Sequence, residues 1–284
     1  MMKRLALSVA LVLMPVLALA QEKLETIASM SILGDLVQQV GGTRVNVVTL
    51  VAAGGDAHTF QPTPNDARRM AQARLVFING LGLEGWLPRL VQASGSKATV
   101  ITLSKGVQVI GRDPHAWQDV ANAKIYIANI VEALSAADPE GKLFYQTRGD
   151  AYRSELDRLD ADIRTKLAQI APERRRVITS HDAFGYFAKA YGLSFIAPQG
   201  VSTEAEVSSR DVARIIRQIR ADKIPAVFLE NISDPRLMTQ IAHETGAKIG
   251  APVFSDSLSP AGGKAPTYLD MMRNNLEAFT QALH

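Results

Sequence analysis

The feature that most constrains this chain is a break in its rhythm. Short apolar runs alternate with amphipathic stretches almost throughout, and then from Asp138 to Ile170 the apolar runs stop. On the N-terminal side the strand-like segments are "LETIASM" (24–30), "VNVVTLV" (45–51), "LVFING" (75–80) and "ATVITLS" (98–104). Between them lie "SILGDLVQQVG", "NDARRMAQA" and "EGWLPRLVQA", each with helical spacing of its apolar residues. After Pro172 the alternation resumes with "RRVITS", "LSFIAPQG", "PAVFLE" and "AKIGAPVF", interleaved with helical patterns up to "YLDMMRNNLEAFTQAL". Strands alternating with helices build parallel sheets from βαβ units. The expected fold is therefore α/β, with two lobes (21–137 and 171–284), each carrying a mainly parallel four-stranded sheet flanked by helices.

The stretch between them, "DPEGKLFYQTRGDAYRSELDRLDADIRTKLAQI", reads as one long helix over 138–170. Asp138 suits its cap and Pro139 its first position. Tyr152, Leu156, Leu159, Ile163, Leu167 and Ile170 recur at three- and four-residue spacing, which makes one apolar stripe. Such a helix would span roughly 50 Å, longer than one lobe. It is expected to be a rigid backbone that joins the lobes and fixes their separation.

The chain opens "MMKRLALSVALVLMPVLALAQEK", a basic start, an apolar run and Ala18-Leu19-Ala20 before Gln21. That pattern is a cleaved signal peptide over residues 1–20, and the run is short for a membrane span. The chain contains no cysteine. No disulfide or thiolate chemistry is open to it, any metal must be held by nitrogen and oxygen, and the expected location is the periplasm without a lipid anchor. Once Lys3 and Arg4 leave with the leader the mature chain is close to neutral, so neither nucleic acid nor a membrane surface is expected as a partner.

Four residues share one kind of address. In open α/β sheets, ligands gather at the carboxyl ends of strands. His58 in "GGDAHTF" follows the second strand, and His115 in "RDPHAWQD" follows the fourth. In the second lobe His181 in "TSHDAF" follows the first strand and Asp256 in "FSDSLS" the last. If the lobes face each other, all four converge. Three imidazoles and a carboxylate make a complete tetrahedral set for Zn²⁺ and suit it better than manganese. Asp56, Asp113, Asp119 and Asp182 are the nearby acids that could orient the imidazoles. His243, near a helix end, and the terminal His284 lack the shared address.

The motifs "GGDAHTFQPTPND", "DPHAWQD" with "NAKIYIANI", "TSHDAFGYFAKAYGL" and "FSDSLS" together resemble the TroA-like zinc/manganese solute-binding proteins of ABC transporters. The resemblance implies two α/β lobes on one long helix, with metal ligands at His58, His115, His181 and Asp256. It implies a periplasmic protein that captures Zn(II) and delivers it to a cognate permease in the inner membrane, acting as a monomer, with a periplasmic metallochaperone as a further candidate partner. Manganese or iron(II) is the alternative cargo. Manganese carriers of this family have Glu at the third ligand position, so His181 tilts the chain toward zinc. The segment "SKGVQVIGRDPH" lacks the long His-rich loop of many zinc carriers, which removes secondary metal sites there.

Two other classes compete. A zinc hydrolase would recruit Glu204, Glu206 or Glu230 as base, but neither an H-E-x-x-H helix nor a G-x-S-x-G elbow is present. A binder of an organic solute or metal chelate would line its pocket with Phe60, Trp117, Phe184, Tyr186 and Phe254. Packing around a metal site is the role expected of these aromatics.

Overall fold

The computed structural model describes residues 22–283. The expected signal peptide and His284 lie outside them. In the first lobe the strands are β1 (Leu24–Met30), β2 (Val45–Val51), β3 (Leu75–Ile78) and β4 (Thr99–Thr102), all parallel, in the order β2-β1-β3-β4. In the second they are β5 (Arg176–Ile178), β6 (Ser194–Ile196), β7 (Ala226–Val227) and β8 (Lys248–Ile249), again parallel, in the order β6-β5-β7-β8. The two sheets thus repeat one topology, and in each the strand order reverses beside the first strand. Loops leaving the strand ends on either side of that reversal point open a crevice.

Helices flank both sheets. In chain order they are α1 (Ser31–Gly41), α2 (Pro64–Gln72), α3 (Leu87–Ser94), α4 (Val120–Ala137), α5 (Lys142–Ala168), α6 (Gly185–Tyr191), α7 (Ser209–Asp222), α8 (Pro235–Thr245) and α9 (Tyr268–Leu283). Several begin on side-chain caps: Thr63 with Asp66 in a reciprocal capping box for α2, Asp119 for α4, Ser208 for α7 and Asp234 for α8.

The connecting helix α5 is 27 residues long, roughly 40 Å. Its start differs from the expectation by one turn. Asp138 accepts a hydrogen bond from the Gly141 amide and caps a short 3₁₀ turn, Pro139–Gly141, rather than α5 itself. The same carboxylate is taken up by Arg44, at 2.8 and 2.9 Å, and by the Tyr145 hydroxyl at 2.7 Å. That arrangement needs the tighter turn. The apolar stripe is buried as the spacing requires: Tyr152, Leu156, Leu159, Ile163 and Leu167 face α1 and α4 of the first lobe and α6 and α9 of the second. One apolar core runs on from the first sheet, along α5, to Phe184, Phe187 and Phe279 of the second lobe. A smaller cluster around Ile178, Ile215, Val227 and Ile241 fills the far face of the second sheet.

Candidate metal centre

Each of the four residues sits on a loop whose backbone is fixed by its neighbours. After β2 the chain turns at Gly54, whose φ of +81° is open to glycine at little cost. The Gly54 amide donates across the lobes to Ser257 Oγ at 2.8 Å. Asp56 Oδ1 accepts from the His58 amide at 2.8 Å, and its Oδ2 accepts from Thr203 Oγ1 of the second lobe at 2.5 Å. Asp113 Oδ1 accepts from both the amide (2.9 Å) and the ring Nδ1 (2.7 Å) of His115. Glu230 holds His181 in the same manner, with Oε1 accepting from the amide at 2.9 Å and Oε2 lying 2.5 Å from Nδ1. In each of these two rings the outer nitrogen meets a carboxylate, so the inner Nε2 is left to face the crevice.

The four side chains meet there. His58 Nε2 lies 3.3 Å from His115 Nε2, which lies 3.4 Å from His181 Nε2. Asp256 is 3.3 Å from His58, 3.5 Å from His115 and 3.2 Å from His181. N–H···O hydrogen bonds cluster near ~2.9 Å, so five separations of this size are not a set of direct bonds. A tetrahedron of ligands 2.0–2.2 Å from a central zinc has edges of about 3.3–3.6 Å. The residues fit a small cation at their centre. Three of them are wholly buried, His58 is 7% exposed, and neither carboxylate oxygen of Asp256 has a hydrogen-bond partner. A buried carboxylate without hydrogen bonds is costly unless a cation answers it.

The electrostatics point the same way. Burial pulls the His181 pKa down, but the Glu230 and Asp256 carboxylates outweigh it and raise it well above the usual imidazole value. His115 is raised likewise against its burial, by Asp256 and Asp113. For Asp256 burial works upward, but His115 and His181 hold it well below the usual carboxylate range. The crevice therefore attracts positive charge, as protons or as a metal.

Of the acids expected to orient the imidazoles, Asp113 reaches a ring and Asp56 the His58 backbone. Asp119 caps α4, and the exposed Asp182 takes part through its amide, which donates to Gly200. Glu230 is the orienting residue that the sequence reading assigned elsewhere, to general-base chemistry. Its place at the end of the "PAVFLE" run, just past β7, is the same strand-end address that singled out the four candidate ligands. Trp117 packs edge-on against His115 at 5.3 Å, and Phe184 and Tyr186 are buried in the core. Phe60 alone of the five aromatics lines the groove of about 720 Å³ that reaches His58, together with Trp86, Arg89 and Glu204.

This geometry has known counterparts. Residues 27–282 match the family described as zinc-uptake complex component A, periplasmic (ZnuA). The chain belongs to that family. Among its relatives, the manganese ABC transporter substrate-binding lipoprotein PsaA of Streptococcus mitis is 32% identical over 94% of this chain and 91% of its own. The periplasmic zinc-binding protein TroA from Treponema pallidum superposes with a TM-score of 0.88 at 29% identity, over 92% of this chain and 99% of that one. A manganese-bound periplasmic metal-binding protein from candidatus Liberibacter asiaticus superposes with a TM-score of 0.83 at 32% identity, over 91% and 99%. As a ZnuA-family member the chain is a metal-binding substrate-binding component of an ABC transporter, not an enzyme.

These relatives correct one expectation, that of a periplasmic protein without a lipid anchor. PsaA is named a lipoprotein, which conflicts with that expectation. The want of cysteine is a statement about thiol chemistry and does not carry a free location.

Proposed function

We propose that the chain captures Zn²⁺ through His58, His115, His181 and Asp256 and hands it to the membrane permease. The observation that carries this reading is the fully buried Asp256, whose unpaired oxygens face three imidazole nitrogens at tetrahedral-edge spacing. Three nitrogen donors and one carboxylate favour zinc by donor type. With four protein groups converging, the centre also lacks the open water position of a catalytic zinc site.

Manganese is the second reading, with iron(II) behind it. Asp256 turns Oδ2 toward His58 and His181 and Oδ1 toward His115, so it can bind through both oxygens and raise the coordination number. Relatives named for manganese weigh on the same side. The protein acts in this reading as a monomer that takes its metal from a periplasmic metallochaperone. We divide it into a first lobe (21–137), a connector (138–170) and a second lobe (171–284), since each sheet draws its strands from one side of the connector.

Isothermal titration of metal-stripped protein tests the centre. One equivalent of Zn²⁺ should bind, and His181→Ala should lose more than the 10- to 100-fold typical of outer-sphere changes, that is, upward of about two orders of magnitude in affinity. Divalent affinity rises from manganese to zinc in most nitrogen and oxygen sites, so tighter zinc binding alone does not choose the cargo. Uptake does. Cells deprived of the protein should fail to accumulate zinc in scarcity, and a selective loss of manganese uptake would transfer the assignment to manganese.

A further inference from the structure

Asp256 poses a question of aim. Its carboxylate receives no hydrogen bond, so its direction is set by the backbone on either side of it. The carbonyl just before it, Ser255 O, accepts two hydrogen bonds from the other lobe: Trp117 Nε1 at 2.9 Å and Gln118 Nε2 at 2.7 Å. Both donors sit on the 3₁₀ turn Ala116–Gln118, immediately after His115. The turn is itself pinned from outside. Asn79 Nδ2 donates to Pro114 O at 2.8 Å, Asn122 Nδ2 to Ala116 O at 3.0 Å, and the Tyr268 hydroxyl to Trp117 O at 2.7 Å.

Gln118 is the telling member. It is wholly buried, and its Oε1 has no hydrogen-bond partner. An apolar side chain of similar size would fill the space and leave no orphaned oxygen, so the amide is a costly choice for packing alone. Its orientation is fixed, because turned over it would set carbonyl against the Ser255 carbonyl. What the glutamine supplies is its N–H. On the far side of Asp256 the chain is held at Ser257, whose carbonyl accepts from Asn231 Nδ2 at 3.1 Å within the second lobe and whose Oγ accepts from the Gly54 amide of the first at 2.8 Å.

We propose that Trp117 and Gln118 are positioning residues for the metal: by clamping the Ser255 carbonyl they keep Asp256 aimed at His115, so that this pair from opposite lobes stays assembled as half of the centre. The proposal rests on the four-residue metal reading and adds to it the device that sets its geometry. The two donors act on the ligand through one carbonyl and touch no metal themselves.

Cobalt(II) serves as the probe, because its visible spectrum reports the symmetry of its ligands. The full-length protein is compared with Gln118→Leu, which removes one donor at similar volume, and Trp117→Phe, which removes the other and keeps a ring against His115. The parent should show the intense visible bands of tetrahedral cobalt. Both variants should show weaker or displaced bands and release the metal to a chelator about three- to tenfold faster, the range expected for one lost hydrogen bond. Metal-free Gln118→Leu should unfold at a temperature no lower than the parent, since an orphaned buried oxygen goes with the amide. Parent-like bands and release rates in both variants would overturn the clamp while leaving the metal centre standing. Absence of tetrahedral bands in the parent would instead overturn the reading of the centre on which the clamp depends.

Discussion

At the scale of the residue, the proposed centre makes His181 and its partner Glu230 the place where protons trade for metal. A proton and a cation compete for the same inner nitrogen, and the His181 and His115 pKa values are raised above the ordinary value near 6.5. Metal affinity should therefore begin to fall on acidification from a pH above that value, earlier than for an isolated imidazole. Glu230→Gln keeps the shape and removes the charge. Chelator competition across a pH series should show affinity lowered by about 10- to 100-fold and the onset of proton competition moved to lower pH. An onset unchanged by the substitution would dissociate Glu230 from the His181 pKa. The metal-free protein should behave oppositely. A histidine raised in the folded state stabilises it fully below the unfolded value, near pH 6.5, and that contribution is lost as pH rises through the folded value. Asp256, lowered, contributes above its ordinary value near 4 and loses this only in stronger acid. The melting temperature of stripped protein should thus decline from about pH 6.5 upward, while that of zinc-loaded protein climbs over the same range; parallel slopes would contradict the assignment.

At the scale of the element, α5 shows what the sequence makes legible. Its stripe was readable because 3.6-residue periodicity is a property of spacing alone, and Leu156, Leu159, Ile163 and Leu167 are buried as that spacing demands. Its first turn was not readable in the same way. Whether Asp138 caps an α-helix or a 3₁₀ turn depends on Arg44, which comes from far up the chain. The strands divide likewise. β1 and β2 end where their apolar runs end, whereas β7 and β8 are only two residues each inside longer apolar runs. Apolar composition marks burial, but the end of a ladder is set by the neighbour's twist and by loops that turn aside to build the site. His58, His115, His181 and Asp256 could be found because strand ends are visible as changes of pattern. Glu230 shared that address, but the sequence named it only as a base for the competing hydrolase, because its contact with His181 is made through the fold. For α5 itself, Leu156→Ala at a fully buried position should cost about 2–5 kcal/mol in urea unfolding. The one-to-one metal stoichiometry should survive, because the stripe supports both lobes without touching the centre.

At the scale of the molecule, the question is how far the lobes move when metal leaves. A wide hinge needs an interface that parts cheaply, and this one does not. The apolar core is continuous along α5 into both lobes, and α9 of the second lobe packs on α5 and α1. Polar bonds cross beside it: the Tyr268 amide donates to Asp35 Oδ2 at 2.8 Å, the Ile110 amide to the Tyr186 hydroxyl at 3.1 Å and the Val120 amide to the Tyr191 hydroxyl at 3.3 Å. Opening would expose buried aromatic surface, including Trp117 and Tyr268, at about 25 cal/mol per Å². By contrast, the loop carrying Thr203 reaches the His58 side of the centre through a single side-chain bond to Asp56. Metal release should therefore proceed by loop adjustment on that side while the lobes keep their distance. Small-angle scattering of stripped and zinc-loaded protein should give radii of gyration equal within about 1 Å, the scale of change seen in pre-organised binding. Hydrogen exchange should speed up on stripping at residues 200–207 and around His58, and stay constant along α5. An expansion well beyond that limit, with exchange rising along the connecting helix, would mean that the helix bends and that the continuous core does not hold the lobes together.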